Sequence, residues 1–444
     1  MKCQKRVTGF LPLFRTFYVI MIVTDKRERG EQMIETSKRQ ERVILLGVEL
    51  PETENFEMSM EELASLAKTA GAEVVSSYRQ KREKYDSKSL IGSGKLAEIK
   101  ATVEADEIDT VIVNDRLTPR QNVNLEVELG VKVIDRMQLI LDIFAMRARS
   151  HEGKLQVHLA QLKYMLPRLV GQGVMLSRQA GGIGSRGPGE SQLELNRRSI
   201  RHQISDIERQ LKVVEKNRET GREKRTESQV FKIGLIGYTN AGKSTIMNIL
   251  TNDKQYEADE LFATLDATTK QIYLQNQFQV TLTDTVGFIQ NLPTELVAAF
   301  KSTLEESRNV DLLLHVIDAS DPNHAEHEKV VLNLLKELDM LDMPRLAVYN
   351  KMDVAEHLVA TAFPNVRISA RDKDARTLLR RLLINEIREI FEPFSIRVHQ
   401  SQAYKLYELS KIALLDHYDF AQEYETITGY INPKNKWRLE EFYD

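Results

Sequence analysis

A lysine and a serine follow directly on a glycine-bounded loop in Gly237-Tyr238-Thr239-Asn240-Ala241-Gly242-Lys243-Ser244. The run before it, residues 231–236, is apolar enough for a buried strand, and residues 245–250 read as a helix. A strand, a Gly-rich turn and a helix N-terminus aim several backbone N–H groups at one point, where a triphosphate can bind. Lys243 would neutralise the β- and γ-phosphates in binding and in catalysis. Ser244 would place its hydroxyl on Mg²⁺.

Three more segments follow in the order that a guanine-nucleotide switch requires. Thr283-Asp284-Thr285-Val286-Gly287 ends a half-buried strand, residues 279–283. Asp284 would hold Mg²⁺ through water, and Gly287 has an N–H for the γ-phosphate. Asn350-Lys351-Met352-Asp353 follows the strand 345–349. A carboxylate at Asp353 can accept from the N1–H and N2–H₂ of guanine. Adenine lacks that donor pair and would leave the carboxylate unpaired, so the motif selects GTP over ATP. Asn350 would tie the base loop to the phosphate loop, and the Lys351 stem would cover the purine face. Ser369-Ala370, after the apolar run 366–368, supplies backbone N–H to guanine O6.

Between the phosphate loop and Asp284 lies Leu261-Phe262-Ala263-Thr264-Leu265-Asp266-Ala267-Thr268-Thr269. A switch loop needs one Thr that reaches both Mg²⁺ and the γ-phosphate, so that hydrolysis releases it. Thr264, Thr268 and Thr269 qualify by type, unless the last two merely start the strand 270–274. Phe288 stands where Ras-like enzymes carry the glutamine that orients the attacking water. A phenyl ring cannot make that hydrogen bond. Intrinsic hydrolysis is then slow and a partner completes the site, or another side chain or the switch backbone holds the water.

The elements that must position these residues form an α/β multidomain chain of 444 residues. A net charge of −3 excludes a wholesale nucleic-acid coat, and a single cysteine, Cys3, excludes an internal disulfide framework and suits a reducing cytosol. Residues 1–40 are expected to be disordered or a mis-called extension, with Met33 the natural start. Their basic and apolar stretch resembles a signal peptide without a cleavage site, and a peripheral membrane contact is the alternative.

Residues 41–150 alternate strand and helix as a small α/β domain with a mostly parallel sheet. Ser59 with Glu62 reads as a capping box for a helix to Ala70. Gly92-Ser93-Gly94-Lys95 mimics the end of a phosphate loop, but Ser89 replaces the first glycine, so a tight turn before a helix is expected.

Residues 151–228 read as an antiparallel helical hairpin. Leu155, Leu159, Leu162, Leu166 and Leu169 form one seam, and Leu193, Ile200, Ile204, Ile207, Leu211 and Val214 the other. Its connector, 171–189, is glycine-rich and carries Arg178 and Arg186 with no acidic residue, and residues 181–189 read as neither helix nor sheet. That composition suits contact with RNA phosphates and unpaired bases, against the alternative of a flexible linker.

The P-loop GTPase domain, with a mostly parallel sheet, spans 229–392. A small α+β domain spans 393–444, with a helix from Gln402 to Asp416. There Tyr404, Tyr407, Tyr418, Phe420 and Trp437 are expected mostly in its core.

With these pieces in order, the chain resembles the bacterial HflX-type GTPases. The resemblance rests on the phosphate loop, on Phe262-Ala263-Thr264-Leu265-Asp266 and on Asp284-Thr285-Val286-Gly287-Phe288. Outside that domain it rests on Asp135-Arg136, Leu155-Gln156-Val157, Leu166-Pro167-Arg168-Leu169 and residues 184–190. Ala267 departs from the proline usual there. The resemblance implies that Thr264 is the switch ligand of Mg²⁺. It also implies a cytoplasmic, monomeric GTPase that binds the large ribosomal subunit and its RNA in the GTP state and is stimulated by that contact. Such a factor splits stalled or idle ribosomes under stress, with the hairpin loop reaching towards the peptidyl-transferase region. Two alternatives stand beside this reading: a signalling switch acting on a protein partner, and ATP-driven RNA remodelling through the N-terminal domain.

Overall fold

In the computed structural model, the described residues are 39–444 without 54, 180–187, 227–229, 252–260, 263–267, 285–286, 290–309, 400–403, 422–423 and 443–444. The expectation for residues 1–40 therefore falls almost wholly outside the described residues.

The first sheet is built from strands β1 (Arg42–Glu49), β2 (Glu73–Lys81), β3 (Thr110–Val113) and β4 (Lys132–Asp135), in the order β2-β1-β3-β4 and all parallel. Helices α1 (Phe56–Thr69), α2 (Ser93–Ala105) and α3 (Pro119–Leu129) connect them, and α4 (Arg136–Arg147) follows β4. A parallel sheet needs both faces covered, and β1 shows how the sequence meets that need. Val43 and Leu45 pack with α1 and α4, while Ile44, Leu46 and Val48 pack with α2 and α3.

The capping box at Ser59 is not formed. Helix α1 begins earlier, after Asn55, and Ser59 sits inside it with its hydroxyl on Asn114 (3.3 Å). Glu62 is turned towards Arg136 instead. The Gly92–Lys95 segment is a turn into α2. The Gly92 N–H donates to Gln80 Oε1 (2.9 Å), and Lys95 pairs with Glu98 (2.7 Å).

Helices α5 (His151–Gln179) and α6 (Pro188–Thr226) form the hairpin. Leu159, Leu162 and Ile207 are the buried centre of its seam, flanked by Leu155, Ile200, Ile204 and Leu211. Helix α5 runs through Gly171 and Gly173, and Pro188 and Gly189 open α6, so helix claims both ends of the connector, including the last two residues of the stretch 181–189 expected to be irregular. Proline suits that place because the first helical N–H has no partner to lose. Its middle, residues 180–187 with Arg186, lies outside the described residues.

The second sheet has the order β10-β9-β8-β5-β7-β6. Its strands are β5 (Phe231–Gly237), β6 (Thr268–Tyr273), β7 (Gln279–Asp284), β8 (Leu312–Asp318), β9 (Arg345–Asn350) and β10 (Asn365–Arg367). Only the edge pair β6–β7 is antiparallel. Helices α7 (Lys243–Thr251), α8 (His324–Glu337) and α9 (Ala375–Ile390) flank it.

Strands β11 (Glu392–His399), β12 (Ala413–Ala421) and β13 (Tyr424–Ile431) form an antiparallel sheet, β11-β13-β12. Helix α10 (Tyr404–Ile412) stops at Ile412, not Asp416, because Ala413 begins the strand that pairs with Ile431. Three of the aromatics expected in this core are placed otherwise, and the side chains of Tyr418 and Phe420 lie outside what is described. Tyr404, Tyr407 and Trp437 are more than half exposed, and Leu409, Leu415, Ile427 and Leu439 fill the core instead. Two of the exposed rings carry a cation instead: Lys411 Nζ lies 4.1 Å from the Tyr407 ring centre, and the Arg438 guanidinium 5.7 Å from that of Trp437. Residues 41–444 make one compact unit, and Leu414 of β12 packs in the GTPase core.

Candidate active site

Strand β5 delivers the chain to Gly237 and α7 takes it up at Lys243, so the loop between them lies at the C-terminal end of a parallel strand. Lys243 is buried, and its Nζ donates to the carbonyl oxygens of Gly237 (3.1 Å) and Tyr238 (2.8 Å). Burial pushes its ammonium down to about 8, opposed by the nearby Asp284 charge. Ser244 Oγ donates to Asp284 Oδ2 (2.8 Å) at the end of β7. A hydroxyl and a carboxylate converging in this way are the hard oxygen donors that suit Mg²⁺. Buried Thr239 Oγ1 has no hydrogen-bond partner among the described residues, which suits a site that expects a polar ligand.

Gly287 lies against this loop. A Cβ there would stand 2.9 Å from Thr239 Cα and 3.0 Å from Lys243 Nζ, so a larger residue would crowd the lysine. The next residue completes a short parallel bridge. The Phe288 N–H donates to Gly237 O (3.1 Å), and the Thr239 N–H donates to Phe288 O (2.8 Å). The Phe288 ring is buried with Ile236, Val310, Leu313 and Val331. The position of a water-orienting glutamine is thus held by a core residue.

On the base side, Asn350 joins two loops as expected. Its Nδ2 donates to Ala241 O (3.0 Å), and its Oδ1 accepts from the Ala370 N–H (3.0 Å). Gly242 makes room for that bridge: its φ is +94°, and a Cβ would lie 2.2 Å from Asn350 Nδ2. Lys351 Nζ pairs with Asp318 (2.7 Å), and the Met352 N–H donates to Ile368 O (3.1 Å). Asp353 Oδ1 accepts from Ser369 Oγ (2.7 Å), and this bond holds the carboxyl below its usual range. The Ser369 hydroxyl is thus engaged with Asp353, and the Ala370 N–H, expected at guanine O6, donates to Asn350.

The switch region is described only in part. Ala263, Thr264, Leu265, Asp266, Thr285 and Val286 lie outside the described residues. Thr268 and Thr269 open β6, and Thr269 Oγ1 shares a hydrogen bond with Thr283 Oγ1 (3.0 Å), so Thr283 serves the sheet. Phe262, expected among the nucleotide-binding residues, turns its ring elsewhere. It is buried edge-on against Phe144 of α4 (4.6 Å between centroids), in the core that Leu63 and Leu66 of α1 also build. Apolar burial wins this side chain for the N-terminal domain. The Leu261 N–H donates to Thr69 Oγ1 of α1 (3.3 Å).

Residues of the N-terminal domain at this site escaped the reading of the sequence. Tyr238 OH donates to Glu62, which also pairs with Arg136, a guanidinium that reaches Asn114 Oδ1 (3.1 Å). The Tyr238 ring stacks on His327 (3.8 Å, 10° between planes). Asp135 faces the hairpin, accepting from Tyr164 OH (2.5 Å) and Arg168 (2.6 Å). The one available signal was a large hydroxylated ring inside a loop whose backbone does the binding. A cavity of about 210 Å³ between α1 and the loop is lined by Glu61, Glu62, Tyr238, His315 and His327. Burial holds the His315 imidazole neutral, down to about 3.

Comparison with known proteins agrees with this architecture. The model of a GTP-binding GTPase N-terminal region matches residues 57–145, that of a GTP-binding GTPase middle region 147–225, and that of a 50S ribosome-binding GTPase 232–351. The GTPase HflX of Alkalihalophilus pseudofirmus is 56% identical over 314 residues, 70% of this chain and 74% of the relative. That of Caldanaerobacter subterraneus is 50% identical over 372 residues, 84% and 86%. That of Escherichia coli is 46% identical over 316 residues, 71% and 74%. A crystal structure of a GTP-binding protein from Sulfolobus solfataricus with GDP is 26% identical, covering 78% of this chain and 99% of that one at a TM-score of 0.43. The phosphate loop, the base loop and the matched relatives make this chain a member of the HflX family of GTP-hydrolysing, ribosome-associated GTPases.

Proposed function

We propose that this GTPase engages the large ribosomal subunit in its GTP form and splits stalled or idle ribosomes, and that hydrolysis releases it. The observation that carries the reading is Phe288 in the hydrophobic core. Phe288 offers the attacking water no hydrogen bond, so a partner that completes the site would also time the reaction. In the same reading Ser244, Thr264 and Asp284 hold Mg²⁺, which would spread the charge developing on the phosphates. Lys243 and the Gly287 N–H receive the γ-phosphate, and Asp353 receives guanine. Arg178 and Arg186 at the hairpin connector would meet ribosomal RNA.

The test is the GTPase rate with and without purified large subunits, beside Lys243→Ala. A tenfold stimulation, about 1.4 kcal/mol off the barrier, would support completion of the site by the ribosome. An unchanged rate without GTP-dependent cosedimentation would sink the proposal. Arg178→Ala with Arg186→Ala should weaken cosedimentation and leave GTP affinity alone.

A further inference from the structure

We infer that Glu62 and Arg136, two residues of the N-terminal domain, are positioning residues for the phosphate loop, acting through Tyr238. The chain of contacts is short. Arg136 pairs with Glu62, both less than one-tenth exposed, and Arg136 is held in turn by Asn114. Glu62 accepts from Tyr238 OH, and the same ring is stacked on His327, whose Nδ1 lies 3.2 Å from Asp321. The Tyr238 side chain is thus fixed at its tip and on its face. Its carbonyl is one of the two that receive Lys243 Nζ, and its peptide neighbours make the bridge to Phe288.

Fixing the tyrosine fixes that carbonyl, and with it the direction of the ammonium that must meet the phosphates. A loop held in this form before nucleotide arrives loses less freedom on binding, which is preorganisation. Glu62 can serve because its pairing with Arg136 holds the acceptor oxygens in place for the phenol.

The inference rests on GTP turnover at this loop, and the experiment keeps the two apart. Tyr238→Phe removes one hydroxyl and keeps the ring on His327. We expect the KM for GTP and the release rate of a fluorescent GDP to rise roughly three- to tenfold, the range of one hydrogen bond's net contribution. The kcat should stay within twofold, because ground state and transition state lose the contact alike. Glu62→Gln should shift KM in the same direction, and the double variant should do no more than the larger single effect, since both cut the same contact.

Two results would overturn the inference: Tyr238→Phe without effect on KM and GDP release, or single effects that add in the double variant. Ser65→Ala, on the same helix and outside the network, should change neither readout. A shift there equal to that of Tyr238→Phe would also overturn it. Failure of GTP turnover itself would show in the unaltered protein, which must bind and hydrolyse GTP before any variant is compared.

Discussion

In the proposed reading Asp353 carries the choice of base, as an acceptor held ready by Ser369 (2.7 Å). Asp353→Asn replaces one acceptor oxygen by a donor that faces the N–H groups of guanine. GTP affinity should fall about a hundredfold or more, from the loss of hydrogen bonds to a charged group worth about 1.5–3 kcal/mol each. Xanthosine triphosphate, with a carbonyl at C2, should gain in the same competition assay. Phe288 leads to a less intuitive outcome. Phe288→Gln restores the residue type of Ras-like enzymes, yet the position faces Ile236, Val310 and Leu313. The variant should hydrolyse GTP no faster and should unfold earlier, losing about 3 kcal/mol to a cavity and a buried amide. Chemical denaturation and a single-turnover assay would read both. At this scale the sequence was most legible where backbone loops do the binding, since Gly242, Lys243 and Asn350 can be found by spacing alone. It was least legible at Tyr238 and Phe262, whose side chains answer to a domain far away in sequence.

The elements follow their local patterns wherever burial and propensity agree. The alternation of β1, the Pro119 start of α3 and the leucine seam of the hairpin are such cases. The departures have physical causes. Ser59 and Glu62 match a capping box, but the start of α1 is set one turn earlier, where Phe56 is buried, and both polar side chains are drawn to Arg136. Helix α10 gives way to β12 because strand pairing with β13 outweighs the helical pattern beyond Ile412. Asp142 on α4 shows the cost of a partly buried acid. Burial pushes its carboxyl up to about 6, although Gln138 donates to it (2.8 Å). The folded protein then keeps a proton that the unfolded chain releases near pH 4. Stability falls as the pH rises between those values, by an amount on the order of 2–3 kcal/mol. Asp142→Asn should therefore raise the melting temperature at pH 7 and change it little at pH 4, and differential scanning calorimetry at the two values decides.

Across the whole molecule, the dipeptide Asp135-Arg136 joins three parts. Asp135 receives Arg168 from the hairpin, and Arg136 meets the glutamate that Tyr238 reaches. Phe262, at the start of the switch segment, completes the N-terminal core. A piece spanning residues 230–444 would leave Tyr238 and Phe262 uncovered, with Ile289, which packs in the same core. It should melt at a lower temperature than the full chain, and isothermal titration should show weaker binding of GDP. Equal values for the two would mean that the shared core contributes nothing to the site.

That shared core also has a consequence in time. The chain is made from its N-terminus, and domains fold as units as they emerge. Residues 41–150 are finished before Tyr238 and Phe262 have been joined to the chain. When these two side chains appear, the acceptor carboxylate and the aromatic pocket already stand, while the outer strand β10 of their own sheet is still unmade. The older domain is then a template on which the nucleotide site takes form during synthesis, and a lesion at Phe144 would show as lost yield of active protein before it showed in any assay of the finished enzyme.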